Sequence, residues 1–164
     1  MILRYHLVVH LRPTLILCLL LGLFAVRANA APDIYPAPEQ AQADVTAALQ
    51  TASTTHRRVI LDFGGNWCPD CLALDHFFHD ASNAPLLEAG FVLVHVNVGR
   101  MDQNLDVAER YEVPLKKGVP ALAVLDADGK LLYSQKAGEF EAMRKMQSDA
   151  VTNFLNQWKP AAVQ

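Results

Sequence analysis

The stretch "VILDFGGNWCPDC", residues 59–71, places two cysteines three positions apart directly after an apolar, β-branched run. No other part of the chain restricts the fold so tightly. "RVILDF" (58–63) reads as a buried strand, and Pro69 sits where the first turn of a helix tolerates proline. A strand therefore passes through a short turn into a helix with a cysteine at its mouth.

Cys68, at or near the N-cap, meets unpaired backbone N–H groups and the positive end of the helix dipole, which stabilise a thiolate. Cys71, one turn in, is less exposed and placed to attack a mixed disulfide on Cys68. That division of labour suits thiol–disulfide exchange. Two other uses stay open. A bridge that only stabilises would close a very short loop and contribute little entropically. A metal site would need further ligands. "DHFFHD" offers His76 and His79, but on one continuous helix His79 lies about 16 Å along the axis from Cys68, against zinc–ligand bonds of about 2 Å. These two histidines read as surface or half-buried polar residues. His95, on another strand, is the candidate third ligand for copper or zinc beside the two cysteines.

The first thirty residues differ from the rest. "MILRYHLVVHLR" carries Arg4 and Arg12 and no acid, an apolar run follows, and Ala28 and Ala30 are small as an A-x-A cleavage site needs. Residues 1–30 read as a secretory signal peptide. The apolar core is shorter than the roughly 20 residues of a spanning helix. The expected location is periplasmic or secreted after cleavage near Ala30; uncleaved, the segment would tether the protein to the membrane as an N-terminal anchor. Cys18 lies inside this segment, so only Cys68 and Cys71 would remain. Losing residues 1–30 removes three of the 14 Lys/Arg and none of the 17 Asp/Glu, so the net charge moves from −3 to −6. No basic run survives, which argues against nucleic acid as a partner. One close cysteine pair is not a disulfide-stapled scaffold.

Residues 31–43, with three prolines, read as an extended N-terminal segment. "DVTAALQTAS" predicts a short amphipathic helix capped by Asp44. The helix opened by Pro69 is expected to run to about Asn83. "FVLVHVNV" (91–98) predicts a second buried strand, "DVAERYEV" (106–113) a short helix, and "ALAVLDADGKLLYSQKAG" (121–138) two strands around a hairpin turn. Residues 141–158 predict a closing helix, with Met143, Met146, Ala150, Phe154 and Trp158 at helical spacing.

In these motifs the sequence resembles the thioredoxin family. That family's strand–turn–helix signature has an Asp six residues before the first cysteine, an aromatic after that Asp, and Trp before the pair; here these are Asp62, Phe63 and Trp67. "GVPA" (118–121) resembles its cis-proline loop, and Gly138 falls where the family has a glycine after its last hairpin. The exported thioredoxin-like domains, such as the C-terminal domain of the bacterial transmembrane disulfide reductase, are similar. The resemblance implies an α/β thioredoxin fold over residues 44–160, with a mixed four- to five-stranded sheet and helices on both faces.

It also implies roles. Cys68 attacks the client disulfide and Cys71 resolves. Trp67, Val119 and Pro120 form the substrate-binding surface. Asp62, with its pKa raised by burial, relays a proton to or from Cys71. Pro69, Asp70 and His95 tune the pair, His95 standing where thioredoxins often have a lysine near the Asp. Two departures carry expectations of their own. Gly64 replaces a second tryptophan, which would loosen the wall beside the site. Asp70 adds a carboxylate whose repulsion would hold Cys68 away from the lowest thiol pKa values, making the pair more reducing than that of a strong oxidase. "PLKK" (114–117) lengthens the loop before "GVP".

The function expected is a thiol–disulfide oxidoreductase, acting as a reductase on protein thiols and disulfides of the cell envelope. It needs no bound cofactor, and a second, membrane-bound redox protein recycles it. A copper- or zinc-handling protein using the same cysteines, and a non-enzymatic binding module using the "GVP" groove, are the alternatives.

Overall fold

The computed structural model describes residues 33–161. The expected signal peptide, Cys18 and the cleavage site lie outside the described residues.

Four strands form one sheet: β1 (Arg58–Gly64), β2 (Phe91–Asn97), β3 (Ala121–Leu125) and β4 (Leu131–Ser134), in the order β2-β1-β3-β4. β1 pairs parallel with β2 and antiparallel with β3, and β3 pairs antiparallel with β4. The sheet is therefore mixed, as expected, with four strands. Five α-helices cover it among the described residues: α1 (Ala41–Thr55), α2 (Pro69–Phe78), α3 (Ala84–Gly90), α4 (Leu105–Arg110) and α5 (Asp149–Trp158).

Alternation along β1 divides the core. Val59, Leu61 and Phe63 join Val94, Val96, Ala123 and Leu125 against Ala48 and Ala52 of α1 and Val107 of α4. Ile60, Leu122 and Val124 point the other way, onto Leu74 and Phe78 of α2 and Val151, Phe154 and Leu155 of α5. Adjacent residues of a strand face opposite sides, so a central strand carrying apolar side chains on both faces requires helices on both. Between β3 and β4, Asp126 Oδ1 accepts from Asp128 N at 3.0 Å and Lys130 N at 2.9 Å, and Gly129 takes φ +84°. The expected hairpin turn is in place.

Three expected elements differ. α1 begins at Ala41, after a 3-10 turn at Pro38–Gln40, and Asp44 lies in its first turn rather than at its cap. The helix from Pro69 stops at Phe78. Asp80 Oδ1 accepts the amides of Ser82 and Asn83, both at 2.9 Å, and turns the chain, and a separate helix starts at Ala84 with Pro85 in its first turn. Proline lacks an amide donor, so one helix could not have continued through it. The closing helix is also broken. Met143–Lys145 is a 3-10 turn, and α5 starts only after Ser148. Ser148 is held from outside its own helix: its hydroxyl donates to Asp80 and accepts from Asn83 Nδ2 at 3.0 Å. Met143 is nevertheless buried, as its spacing implied.

Candidate active site

β1 ends at Gly64, and the turn through Trp67 delivers Cys68 to the N-cap of α2. Cys68 and Cys71 are joined in a disulfide, their Cα atoms 5.2 Å apart. Cys71 N donates to Cys68 Sγ at 3.1 Å, so one helix-mouth amide faces the sulfur directly. Pro69 takes the next position, where no amide is needed. Cys68 shows 4% of its surface and Cys71 none. An approaching sulfur therefore meets Cys68 first.

The facing wall is the turn before β3. The Val119–Pro120 bond is cis, and the Val119 carbonyl lies 3.7 Å from Cys68 Sγ. Gly138, at φ +79°, backs this loop. A Cβ there would lie 2.7 Å from the Lys117 carbonyl, so the left-handed backbone and the close approach both require glycine. Lys116 and Lys117 are exposed beside it. Trp67, 38% exposed, forms the outer rim: its indole N–H donates to the Gly99 carbonyl and Arg100 lies over its ring at 5.3 Å.

The Asp70 carboxylate is paired with Arg144. Arg144 binds it twice, through its amide to Oδ1 at 2.9 Å and its guanidinium to Oδ2 at 3.1 Å. Slight burial opposes the charge, but the Arg144 hydrogen bonds and the charges of Arg144 and Lys145 outweigh it and hold the carboxyl below its ordinary value. The repulsion expected of Asp70 toward Cys68 is thus partly neutralised by a residue 74 positions away.

Behind the disulfide lies a buried polar network. Asp62 is fully buried and pairs in register with His95 of β2. His95 Nδ1 lies 3.0 Å from Asp62 Oδ2, and its Nε2 lies 3.3 Å from Asp75 Oδ1 of α2. Burial pulls the imidazole down, but hydrogen bonds and charge from Asp62 and Asp75 prevail and raise it to about 9. His95 thus carries a proton between two carboxylates. Both its nitrogens are engaged there, so it does not converge on the cysteines as a third metal ligand. His76 and His79 are exposed on the outer side of α2.

The wall at Gly64 is not loose. Tyr35, 1% exposed, fills it from the segment expected to be merely extended, packing on Cys68 and Cys71 with Ile34 and Val119 beside it. Its hydroxyl donates to Asp62 Oδ2 at 2.6 Å. A Cβ at Gly64 would lie 2.5 Å from that hydroxyl, so the missing tryptophan makes room for a tyrosine. The segment is strapped down by side-chain amides. Asn66 Oδ1 accepts from Ile34 N and Tyr35 N, both at 3.0 Å, and Asn66 Nδ2 donates to the Tyr35 carbonyl at 2.8 Å. Asn97 and Asn104 donate to the carbonyls of Pro36 and Pro38 at 2.7 and 2.9 Å.

The sequence reading missed Tyr35, Asn66, Asp75, Arg100 and Arg144. Only Asp75 carried a signal: it lies four residues from Cys71 in the same helix, hence on the same face.

Residues 40–127 match a family model described as thioredoxin-like. Among solved structures, a disulphide isomerase from Xylella fastidiosa Temecula1 is 35% identical, with a TM-score of 0.74 over 78% of this chain and 98% of that one. A thioredoxin from Thermus thermophilus is 25% identical, with a TM-score of 0.50 over 75% of this chain and 83% of that one. No curated protein matches the chain.

Proposed function

The chain belongs to the thioredoxin-like family and has the thioredoxin fold, and from that premise we propose that it is an exported reductase of protein disulfides in the cell envelope. The observation that carries the redox reading is the asymmetry of the pair: Cys68 in a helix mouth with a sliver of its surface open, Cys71 fully sealed behind it, and the Val119–Pro120 loop facing them.

In the reduced protein, the Cys68 thiolate attacks one sulfur of a client disulfide, and the other client sulfur leaves as a thiolate and takes up a proton. Cys71 then loses its proton and attacks Cys68 Sγ, expelling the second client sulfur. Two electrons pass to the client, and the pair ends as the disulfide seen here. The helix mouth favours the attacking thiolate. An extended client backbone can pair with Val119 in the manner of an added strand. A second redox protein, membrane-bound, returns the two electrons. Export is supported by the basic start, apolar core and A-x-A pattern of residues 1–30.

Reduction of a model protein disulfide such as insulin tests the reading. Cys68→Ser is expected to abolish turnover, and Cys71→Ser to accumulate mixed disulfides with clients. Full activity in Cys68→Ser would sink it.

A further inference from the structure

The two oxygens of Asp62 have different surroundings. Oδ2 receives the Tyr35 hydroxyl at 2.6 Å and faces His95 Nδ1 at 3.0 Å. Oδ1 is buried and has no hydrogen-bond partner among the described residues. A buried polar atom without a partner is unfavourable, so the surrounding fold must hold this arrangement in place. Two separate devices do so on the Tyr35 side. Asn66, Asn97 and Asn104 tie down the strap that carries the ring. Gly64 supplies a bare patch of β1, where a Cβ would lie 2.5 Å from the Tyr35 hydroxyl and 2.7 Å from Cys71 Sγ. The hydroxyl and the resolving sulfur therefore border the same small space.

We propose that Tyr35 is a positioning residue of the exchange reaction: with His95 it pins Asp62 by Oδ2, leaving Oδ1 to exchange a proton with Cys71. The inference rests on the redox reading of the pair. The step balances as follows. The Cys71 S–H bond breaks, its proton goes to Asp62 Oδ1, and the electron pair stays on sulfur, which attacks Cys68 Sγ and releases the client thiolate. When electrons enter the pair instead, Asp62 returns that proton to the Cys71 sulfur as the disulfide opens.

The groups around Asp62 come from every element packed on it. Tyr35 faces it from the strap and His95 from β2, and the Cys71 sulfur, on α2, lies across the Gly64 patch from the Tyr35 hydroxyl. Asp75, also on α2, acts through His95, with His79 Nδ1 3.2 Å from the same Asp75 oxygen and the charge of His76 nearby. Burial, together with the charge and hydrogen bond of Asp62, raises the Tyr35 hydroxyl well above its ordinary value, so it remains a donor throughout the working range. His95 also lines a groove of about 330 Å3 with Pro36, Asp44 and Val94, which gives the network an outlet to water at the free edge of β2.

The test is Tyr35→Phe, which keeps the ring and deletes only the hydroxyl. Alkylation of Cys68 is expected to stay within about twofold of the parent rate, because that sulfur does not use the network. Resolution of a preformed mixed disulfide by Cys71 is expected to slow about tenfold, and its pH midpoint to move by about one unit. In an Asp62→Asn background, Tyr35→Phe is expected to make no further difference. Superimposable resolution profiles overturn the proposal and leave the redox reading standing, and equal slowing of both steps, the mark of a merely structural role, overturns it too. A parent protein with no exchange activity overturns both readings. Should Tyr35→Phe fail to fold, 13C-tyrosine NMR of the unaltered protein decides. The Tyr35 signal is expected to share the pH midpoint of resolution, and a pH-silent signal overturns the proposal.

Discussion

Arg144 shows how one distant residue changes the meaning of a local motif. Between the cysteines, Asp70 is a carboxylate beside a thiolate; bound by Arg144, it is half of an ion pair. Arg144→Ala frees that charge. The Cys68 thiol is then expected to titrate higher by roughly half a unit, the scale of an exposed charge pair. Alkylation rates across pH would show it, and an unmoved midpoint would mean that the pair does not reach the sulfur. His95 is the other residue whose charge state is decided by its neighbours. Its pKa is raised in the fold to about 9 from an ordinary 6.5. The stability it contributes is therefore complete below pH 6.5 and disappears as the pH rises through 9. The loss amounts to about 3 kcal/mol. Urea titrations at pH 6 and pH 9.5 are expected to show that fall, and His95→Asn to remove most of it.

Among the elements, the strap before α1 departs most from its sequence. Three prolines predict an extended segment, but its end closes a 3-10 turn, with Gln40 N donating to the Ala37 carbonyl at 3.0 Å, and residues 34–38 bond to the side chains of Asn66, Asn97 and Asn104. Asn66→Ala removes three bonds at once. Amides of residues 34 and 35 are then expected to exchange with solvent at least about tenfold faster, and the reduced Cys71 to become more accessible to alkylation. Unchanged protection would mean that Tyr35, rather than the asparagines, holds the strap. The break before α5 has a similar origin. Asp80 and Asn83, from the turn after α2, bind Ser148 and set where the last helix begins.

At the scale of the whole molecule, the sheet gathers parts from distant positions around one sulfur: the strap, the β1–α2 turn, the cis loop and the Arg144 turn. The direction in which the molecule passes electrons depends on how these parts weigh the thiolate against the disulfide. The helix mouth favours the thiolate and hence the reduced form, while Asp70, only partly neutralised by Arg144, opposes it. With that opposition the pair is expected to have a potential more negative than about −180 mV, against about −120 mV for a strong oxidase, whose reduced form is stabilised further. Equilibration with glutathione measures it, and a value near that of the oxidase would reverse the proposed direction.

The sequence by itself determined the strands, the hairpin, the start of α2 and the pair. Short apolar runs rich in β-branched residues mark β1 and β2, "DADG" marks the hairpin, and Pro69 marks the start of α2, because backbone preference and side-chain character act within a few residues. The position of Cys68 at a helix mouth, with Cys71 one turn behind, follows from the same local rules. Tertiary structure alone decided what surrounds that pair. Tyr35 is an ordinary aromatic among prolines until the fold brings it to the gap at Gly64, and nothing near Asp70 announces Arg144. A hydrogen bond or ion pair across tens of residues leaves no periodic trace in a sequence, because its geometry is set by how the helices and strands pack and not by either partner's neighbours in the chain.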